Sequence, residues 1–262
     1  MYKNSHNFFI KNENIIFNLF SKNEIDLISK DIISRLRYLT NNYITFSKLK
    51  GNIGNYHKLK LTNIIESKCV KGSTRFIILR EKILEKIYQN KSILNITNKY
   101  WGHSKYMINW VGDLNKKELK KNATGYRIAR PFNIAPKDVG GVHLDLHYGG
   151  IIRKDYFATF TIWIPLNGFS EKYTLRLAPK SHLKSHSNQF ISKQKKYVSK
   201  SFDKKYEKKF SYIRPVLKKG QGILFHPNLM HGGSINKGNI TRSSIDIRIF
   251  NKSNFNPYNS KK

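Results

Sequence analysis

The sequence is poor in cysteine and in long apolar runs. Cys69 is the only cysteine among 262 residues, so no intrachain disulfide can form, which fits a reducing compartment. No apolar run approaches the roughly 18 residues that a membrane-spanning helix requires. The N-terminal segment, residues 1–20, is interrupted by Lys11, Asn12 and Glu13, which makes it a poor secretion signal. These features predict a cytoplasmic protein without a membrane span.

Acidic side chains are also scarce. Sixteen Asp and Glu residues stand against 49 Lys and Arg residues, which gives a formal net charge of +33. Such a charge would suit nucleic acid or an anionic membrane surface. The excess is mostly lysine, however, and it is scattered along a chain rich in Asn and Ile, a composition typical of AT-rich genomes. Because no nucleic-acid-binding motif is visible either, the sequence favours a small-molecule substrate, with nucleic acid as the alternative partner.

Linkers and internal repeats are absent as well. No stretch rich in Pro, Gly and Ser divides the chain, and 262 residues suit one domain. Hydrophobic residues make up 39% of the sequence and run through all of it, so a packed core is expected. We expect a single domain over residues 1–262, with mainly helical support over 1–100, a β-rich core over 101–252 and a tail over 253–262.

The first hundred residues carry helix signals. Ser21 and Glu24 have the spacing of a capping box. Apolar residues then recur at helical spacing, which predicts one buried stripe formed by Ile25, Ile28, Ile32, Leu36 and Leu39. A second helix is predicted over residues 80–91. These stripes fit packing against a sheet better than ligand binding.

The residue pattern changes after residue 101, where short segments rich in β-branched and aromatic residues are separated by turns. Ile245, Ile247 and Ile249 alternate with Asp246 and Arg248, the pattern of a strand with one buried face. Seven or eight such segments predict a sandwich, barrel or jelly roll. Residues 184–209 interrupt this pattern with nine lysines and no clear apolar stripe. We interpret them as an insertion, either a lid over the site or a solvated loop.

Three candidate metal-ligating side chains lie close together in the segment GGVHLDLHYGG, residues 140–150. On a strand, residues two apart share a face, so His143 and Asp145 project together, and His147 would join them if the strand continues. A third ligand must come from another strand, where His226 and His231 are the candidates. Two histidines and one carboxylate on a single face are typical of non-haem Fe(II) oxygenases.

An arginine follows the candidate ligand His231 in the sequence. Arg242 lies 11 positions after His231, on the next predicted strand, and Ser244 is one pleat further. A guanidinium inside a barrel can hold a carboxylate in bidentate fashion, and a nearby hydroxyl can add a hydrogen bond. The sequence therefore predicts an anion site beside the metal site.

These motifs together resemble a known family. The pattern H-x-D, then H-G with a following Asn and Arg, with a WIPL strand and a P-x-S-H turn between them, is similar to the phytanoyl-CoA dioxygenase-like branch of the Fe(II)/2-oxoglutarate oxygenases. The resemblance covers roughly residues 100–250. Lys180 stands where the family usually has glycine in that turn, and GQG at 220–222 replaces the usual Gly-Asp. Neither departure falls on a candidate ligand.

The resemblance implies a double-stranded β-helix core, a cupin-like jelly roll, and the cofactors Fe(II), 2-oxoglutarate and O2. By position, it implies that His143, Asp145 and His231 are the iron ligands. Arg242 would bind the distal carboxylate of 2-oxoglutarate, helped by Ser244 or Thr161, and Trp163 would border the cofactor. Since the carboxylate is retained at position 145, hydroxylation or a related oxidation such as desaturation is expected, and not halogenation.

The substrate expected is a small metabolite, lipid or sugar, with an anionic compound as one option. Arg127, Arg130 and His147 are the candidate substrate contacts, although salt bridges to neighbouring strands would explain the two arginines equally well. Two other functions remain open. One is a basic jelly-roll module that binds nucleic acid or an anionic glycan, and the other is a cupin-type metalloenzyme that does not use 2-oxoglutarate.

Overall fold

A computed structural model describes the parts of the chain that carry the main predicted features. The described residues are 14–40, 42, 44–59, 76–78, 81–101, 106–108, 123–136, 138–139, 141–145, 159–170, 173–184, 186 and 202–251. His147, the tail over 253–262 and the middle of the 184–209 insertion lie outside them. In the described part, no helix is long and apolar enough to cross a membrane.

The first predicted helix is present as α1, Lys22–Leu39, and it begins with the predicted capping box. The Ser21 hydroxyl accepts from the Glu24 backbone N–H, and the Glu24 carboxylate accepts from the Ser21 backbone N–H. Its apolar stripe is buried, as expected, at Ile25, Ile28, Ile32 and Leu36. This stripe covers one face of the sheet.

The second predicted helix, over residues 80–91, is present but shorter, and a further helix follows it. Helix α2 is Glu81–Tyr88 and helix α3 is Lys91–Trp101. Asn90 separates them because its side-chain oxygen accepts from the backbone N–H groups of Ser92 and Ile93, which caps the start of α3. The helical part is also smaller than expected, since residues 14–18 and 76–78 form strands.

Within the described ranges, seven strands form one antiparallel sheet. They are β1 Asn14–Asn18, β2 Phe76–Ile78, β3 Tyr106–Ile108, β4 Ala123–Ala129, β5 Thr159–Asn167, β7 Gln221–Phe225 and β9 Arg242–Asn251. Their order is β1-β7-β5-β9-β4-β2, and β3 pairs with the far end of β9. A second, two-stranded sheet consists of β6 Arg176–Leu177 and β8 His231–Gly232. Neighbours in sequence are seldom neighbours in the large sheet, so most pairings are long-range.

The two faces of the large sheet are both covered. On one face, Ile245, Ile247 and Ile249 of β9 pack with the α1 stripe in the main core, as their alternation predicted. On the other face, Trp163 of β5 and Phe225 of β7 pack against side chains of the small sheet and its flanking turns, Leu175, Leu177 and Leu229. The candidate site lies on this second face.

The described ends of the 184–209 insertion are packed against the rest of the protein. The short helix α4, Lys204–Glu207, is capped by Asp203. Before it, Phe202 is buried beside Val142 and Leu144, and its backbone N–H donates to the Val142 carbonyl at 3.1 Å. The C-terminal end of the insertion therefore supports the segment that carries His143 and Asp145.

Candidate metal centre

His143 and His231 are brought together by direct backbone pairing. The two residues form an antiparallel bridge, in which the His143 N–H donates to the His231 carbonyl at 2.9 Å and the His231 N–H donates back at 3.1 Å. Their ring centroids are 4.5 Å apart. The Asp145 N–H donates to the Pro227 carbonyl at 2.9 Å, which continues this attachment by two residues.

Asp145 completes a three-residue cluster. Its Oδ1 lies 3.9 Å from His143 Nε2 and 3.6 Å from His231 Nε2, and the three donor atoms all lie within 4.8 Å of one another. In an octahedron with metal–ligand distances near 2.1 Å, adjacent ligands are about 3 Å apart. Small side-chain adjustments would therefore let all three bind one ion, and two imidazoles with one carboxylate are the donor set that suits iron.

Hydrogen bonds at Nδ1 orient both imidazoles so that they can bind a metal through Nε2. His143 Nδ1 lies 3.0 Å from the Gly141 carbonyl, and His231 Nδ1 lies 2.8 Å from the Leu229 carbonyl. A carbonyl oxygen can only accept, so each Nδ1 must be the protonated nitrogen. The unprotonated Nε2 of each ring then presents its lone pair to the centre of the cluster.

Electrostatics keep His143 neutral. Burial is the main cause that lowers its pKa to about 3, and the neighbouring His231 lowers it further, while Asp145 and the Gly141 carbonyl oppose the shift. A neutral imidazole is the form that ligates a metal, so no proton has to be displaced from His143 at neutral pH.

Thr161 holds the carboxylate. Its hydroxyl donates to Asp145 Oδ2 at 2.8 Å, which directs Oδ1 towards the two imidazoles. The sheet register places Thr161 opposite Arg248, six residues along β9 from Arg242, a separation of about 20 Å along the strand. Ser244 and Thr161 were the two hydroxyls predicted to assist Arg242. In the structure, Thr161 contacts Asp145 and lies far along the sheet from Arg242.

Arg242 is a buried cation. Its residue is 5% exposed, its guanidinium donates to the Tyr173 carbonyl, and its Cζ lies 5.4 Å above the Phe169 ring centroid. Burial first, and then repulsion by Arg214, lowers its pKa to about 10, so it remains charged at neutral pH. Among the described residues, no carboxylate forms an ion pair with it. A charge buried in this way is suited to binding an anion.

The guanidinium of Arg242 lies close to the turn that follows His231. A methyl group added at Gly233 would stand 3.4 Å from Arg242 Nη2, so the guanidinium reaches the chain two residues beyond His231. Ser244 is buried on the same face of β9, two residues from Arg242. The structure therefore keeps Ser244 available as the helper of Arg242.

Aromatic side chains fill the space between these groups. Trp163 shares the face of Thr161 on β5, is buried, and meets Phe169 edge-on with ring centroids 4.9 Å apart. The sequence pattern indicated Trp163 but not Phe169, Tyr173 or Arg214. All three lie in turns or irregular segments, where no periodic pattern indicates which way a side chain points.

The two candidate substrate arginines are both paired with aspartates. Arg127 Nε donates to Asp246 Oδ2 on the adjacent strand at 2.9 Å. Arg130 binds both carboxylate oxygens of Asp138, at 2.7 and 2.6 Å, within the turn that follows β4. Arg127 shares a face of the sheet with Ser244, its register partner on β9, and its charge helps to lower the pKa of His143. Arg130 instead stabilises the loop that leads to the cluster.

His226, the other candidate third ligand, lies outside the cluster. It is buried, its Nδ1 accepts from the Asn228 N–H at 3.0 Å, and its ring faces that of His182 at 5.5 Å between centroids. Asn236, part of the sequence pattern, uses its side-chain amide to join two carbonyls, those of Ala129 and Ile240. Both residues shape turns around the site.

Comparison with known proteins agrees with this geometry. The family profile described as phytanoyl-CoA dioxygenase matches residues 80–244, more than half of the chain. The chain belongs to the phytanoyl-CoA dioxygenase family. The predicted resemblance is thereby confirmed. No curated protein sequence matches this chain significantly.

Solved structures show the same fold. The non-haem alpha-ketoglutarate-dependent carbocyclase SnoK from nogalamycin biosynthesis is 11% identical, with a TM-score of 0.58 over 95% of this chain and 83% of SnoK. EctD from S. alaskensis, solved with 2-oxoglutarate and 5-hydroxyectoine, is 15% identical, with a TM-score of 0.54 over 94% of this chain and 74% of EctD. The non-haem monooxygenase ThoJ is 16% identical, with a TM-score of 0.54 over 94% of this chain and 77% of ThoJ.

These likenesses confirm the predicted jelly-roll fold class. The predicted cofactors, Fe(II) and 2-oxoglutarate, agree with the family of this chain and with its His-Asp-His cluster. EctD has been solved both with bound iron and with 2-oxoglutarate.

Proposed function

We propose that the protein is an Fe(II)- and 2-oxoglutarate-dependent dioxygenase that oxidises a small molecule. The observation that carries the proposal is the conjunction of two buried features on one face of the sheet. One is the cluster of His143, Asp145 and His231, whose donor atoms lie within 4.8 Å of one another. The other is the buried guanidinium of Arg242, which calls for an anion.

In this proposal each residue has one task. His143, Asp145 and His231 hold the iron, and Thr161 orients the carboxylate of Asp145 through its 2.8 Å hydrogen bond. Arg242 pairs with the distal carboxylate of 2-oxoglutarate, Ser244 adds a hydroxyl contact, and Trp163 borders the cofactor. When bound together, iron, 2-oxoglutarate and O2 supply an oxidant that can remove hydrogen from a C–H bond, with succinate and CO2 as co-products.

The chain itself contributes position and exclusion of water. Asp145, His231 and Arg242 are each no more than 5% exposed, which raises the strength of every electrostatic contact in the site. Rigid backbone pairing between His143 and His231 limits their motion. A substrate held beside them would present one C–H bond in a fixed direction.

Arg127 is the residue that we propose to contact an anionic group of the substrate. Its side chain is 31% exposed, it lies on the same face of the sheet as Ser244, and Asp246 fixes the direction of its guanidinium through Nε. The Arg127 charge would attract a carboxylate or phosphate and place it beside the metal. His147 stays a sequence prediction for the same role, and Arg130 fits it less well because Asp138 occupies two of its N–H groups.

A direct experiment tests the proposal as a whole. Reconstituted anaerobically with Fe(II) and 2-oxoglutarate, the wild-type protein should show a weak visible charge-transfer band, and admission of O2 should release succinate. Asp145→Asn should lose the band, whereas Asp26→Asn, a matched change at an exposed residue of α1, should keep it. A band that survives Asp145→Asn would remove this cluster from its role.

The alternative of a cupin-type metalloenzyme that does not use 2-oxoglutarate shares the metal cluster. It offers no reason for the buried charge of Arg242, which is the specific observation that favours the dioxygenase. Turnover without succinate would nevertheless decide for that alternative. A binding module would differ from both, because its binding would fall steeply with salt and survive the loss of His143.

A further inference from the structure

Four large apolar side chains are exposed together at one end of the barrel. Phe132 and Ile134, each 46% exposed, lie on the loop that leads from β4 towards the metal cluster. Ile235 and Ile240, 45% and 42% exposed, lie on the loop between β8 and β9. We call these four side chains the apolar rim.

The two loops form one rigid unit. The Phe132 N–H donates to the Asn236 carbonyl at 2.8 Å, which joins them directly. The buried amide of Asn236 then donates to the Ala129 and Ile240 carbonyls, at 2.7 and 2.8 Å. The Arg130–Asp138 ion pair closes the base of the first loop. Because these internal bonds keep the loops in place, the rim is a built surface that presents its side chains to solvent.

The charge exposed beside the rim is positive. Lys237 is exposed on the second loop, between Ile235 and Ile240. Among the described residues of 130–139 and 233–241 the one acidic side chain, Asp138, is buried against Arg130. Apolar side chains that flank a lysine suit the surface of an anionic membrane. Aliphatic groups can enter the boundary between headgroups and acyl chains, while ammonium groups remain at the lipid phosphates. The net charge of +33 adds a general attraction to such a surface.

Other occupants fit less well. A second copy of this chain would bring a charge of +33 against a charge of +33. Single-stranded nucleic acid stacks its bases on aromatic side chains, and only Phe132 of the four is aromatic. We propose that the apolar rim docks the protein on an anionic lipid surface, as a peripheral contact that leaves the metal cluster unchanged.

Vesicle cosedimentation tests the docking. The full-length protein should sediment with phosphatidylcholine vesicles that contain phosphatidylglycerol, should not sediment with phosphatidylcholine alone, and should be partly released by high salt. The double variant Ile134→Ser with Ile235→Ser should bind at least roughly tenfold more weakly. The matched double variant Leu27→Ser with Tyr38→Ser removes two apolar side chains of α1 that are 61% and 79% exposed, and it should bind as wild type does.

A second readout does not depend on affinity. Tryptophan introduced as Ile235→Trp should shift its emission to the blue when anionic vesicles are added, whereas Leu27→Trp should not. Absence of binding to anionic vesicles, equal weakening by the rim and control variants, or an unshifted Ile235→Trp spectrum would overturn the proposal. Binding to an oligonucleotide that the rim variant weakens, without binding to vesicles, would assign the surface to nucleic acid instead.

Discussion

At the scale of single residues, the hydrogen bond from Thr161 to Asp145 is a contact that the sequence did not indicate. The Thr161 hydroxyl donates to Asp145 Oδ2 at 2.8 Å, and Asp145 is only 1% exposed. Removing this hydrogen bond from a carboxylate that we propose to bind the metal would let it rotate more freely.

Thr161→Val should therefore weaken Fe(II) binding by about tenfold, because the isosteric side chain keeps the packing and loses the donor. Anaerobic titration with Fe(II), or with Co(II) as a spectroscopic probe, measures the change. Thr97→Val is the matched control, since Thr97 is also buried but donates to the Leu94 carbonyl within α3. Equal metal affinity in the wild type and Thr161→Val would show that the hydrogen bond does not orient the ligand.

Arg242 carries the second prediction at this scale. Arg242→Met should weaken 2-oxoglutarate binding by about 10- to 100-fold, since it removes charge-assisted hydrogen bonds in a buried site. Fe(II) binding should remain within about twofold of wild type, because the guanidinium is not a metal ligand. Calorimetric titration with 2-oxoglutarate makes the measurement, and Arg35→Met on α1 serves as control. Unchanged 2-oxoglutarate affinity would require another cation for the distal carboxylate.

At the scale of elements, the strands followed their sequence pattern more closely than the helices did. The alternation of Ile245, Ile247 and Ile249 places all three in the core. The helix predicted over 80–91 is present but ends at Tyr88, because Asn90, which caps the next helix, competes with its continuation. Strand β1 was missed since its partner, β7, lies some two hundred residues away.

The insertion gives the prediction at this scale. Phe202 is 1% exposed and packs behind the segment that carries two of the proposed ligands. Phe202→Ala should lower the free energy of unfolding by about 3 kcal/mol or more and weaken metal binding as the segment loosens. Denaturant unfolding and Fe(II) titration measure the two effects, and Phe46→Ala, at a half-exposed residue, is the control. Loss of stability without any loss of metal affinity would show that Phe202 supports the fold alone.

At the scale of the whole molecule, the net charge of +33 opposes the compact state. The described ion pairs are few compared with 49 basic residues, so repulsion between cations is spread over the surface.

The melting temperature should therefore rise as NaCl is increased from low to moderate concentration, because salt screens repulsion between exposed lysines over about 10 Å. Differential scanning fluorimetry at several salt concentrations provides the measurement. A neutral solute at equal osmolarity is the control, since it does not screen charge. A melting temperature that falls with salt would mean that attractive pairs outweigh repulsion.

The sequence by itself determined the chemical types at the site and their order. Residues two apart on a strand share a face by covalent geometry, which is why the spacing of His143 and Asp145 was enough to pair them. The spacing to His231 and Arg242, compared with a family pattern, then identified the rest of the candidate cluster.

The tertiary structure decided which neighbour each of those residues has. Thr161 meets Asp145, Arg127 meets Asp246 and Arg130 meets Asp138, and none of these choices follows from the local sequence. The Arg127–Asp246 contact joins residues that are 119 positions apart, and a slip of one residue in the strand register would reverse every face. Only the folded sheet sets that register, because the packing of both its faces selects it.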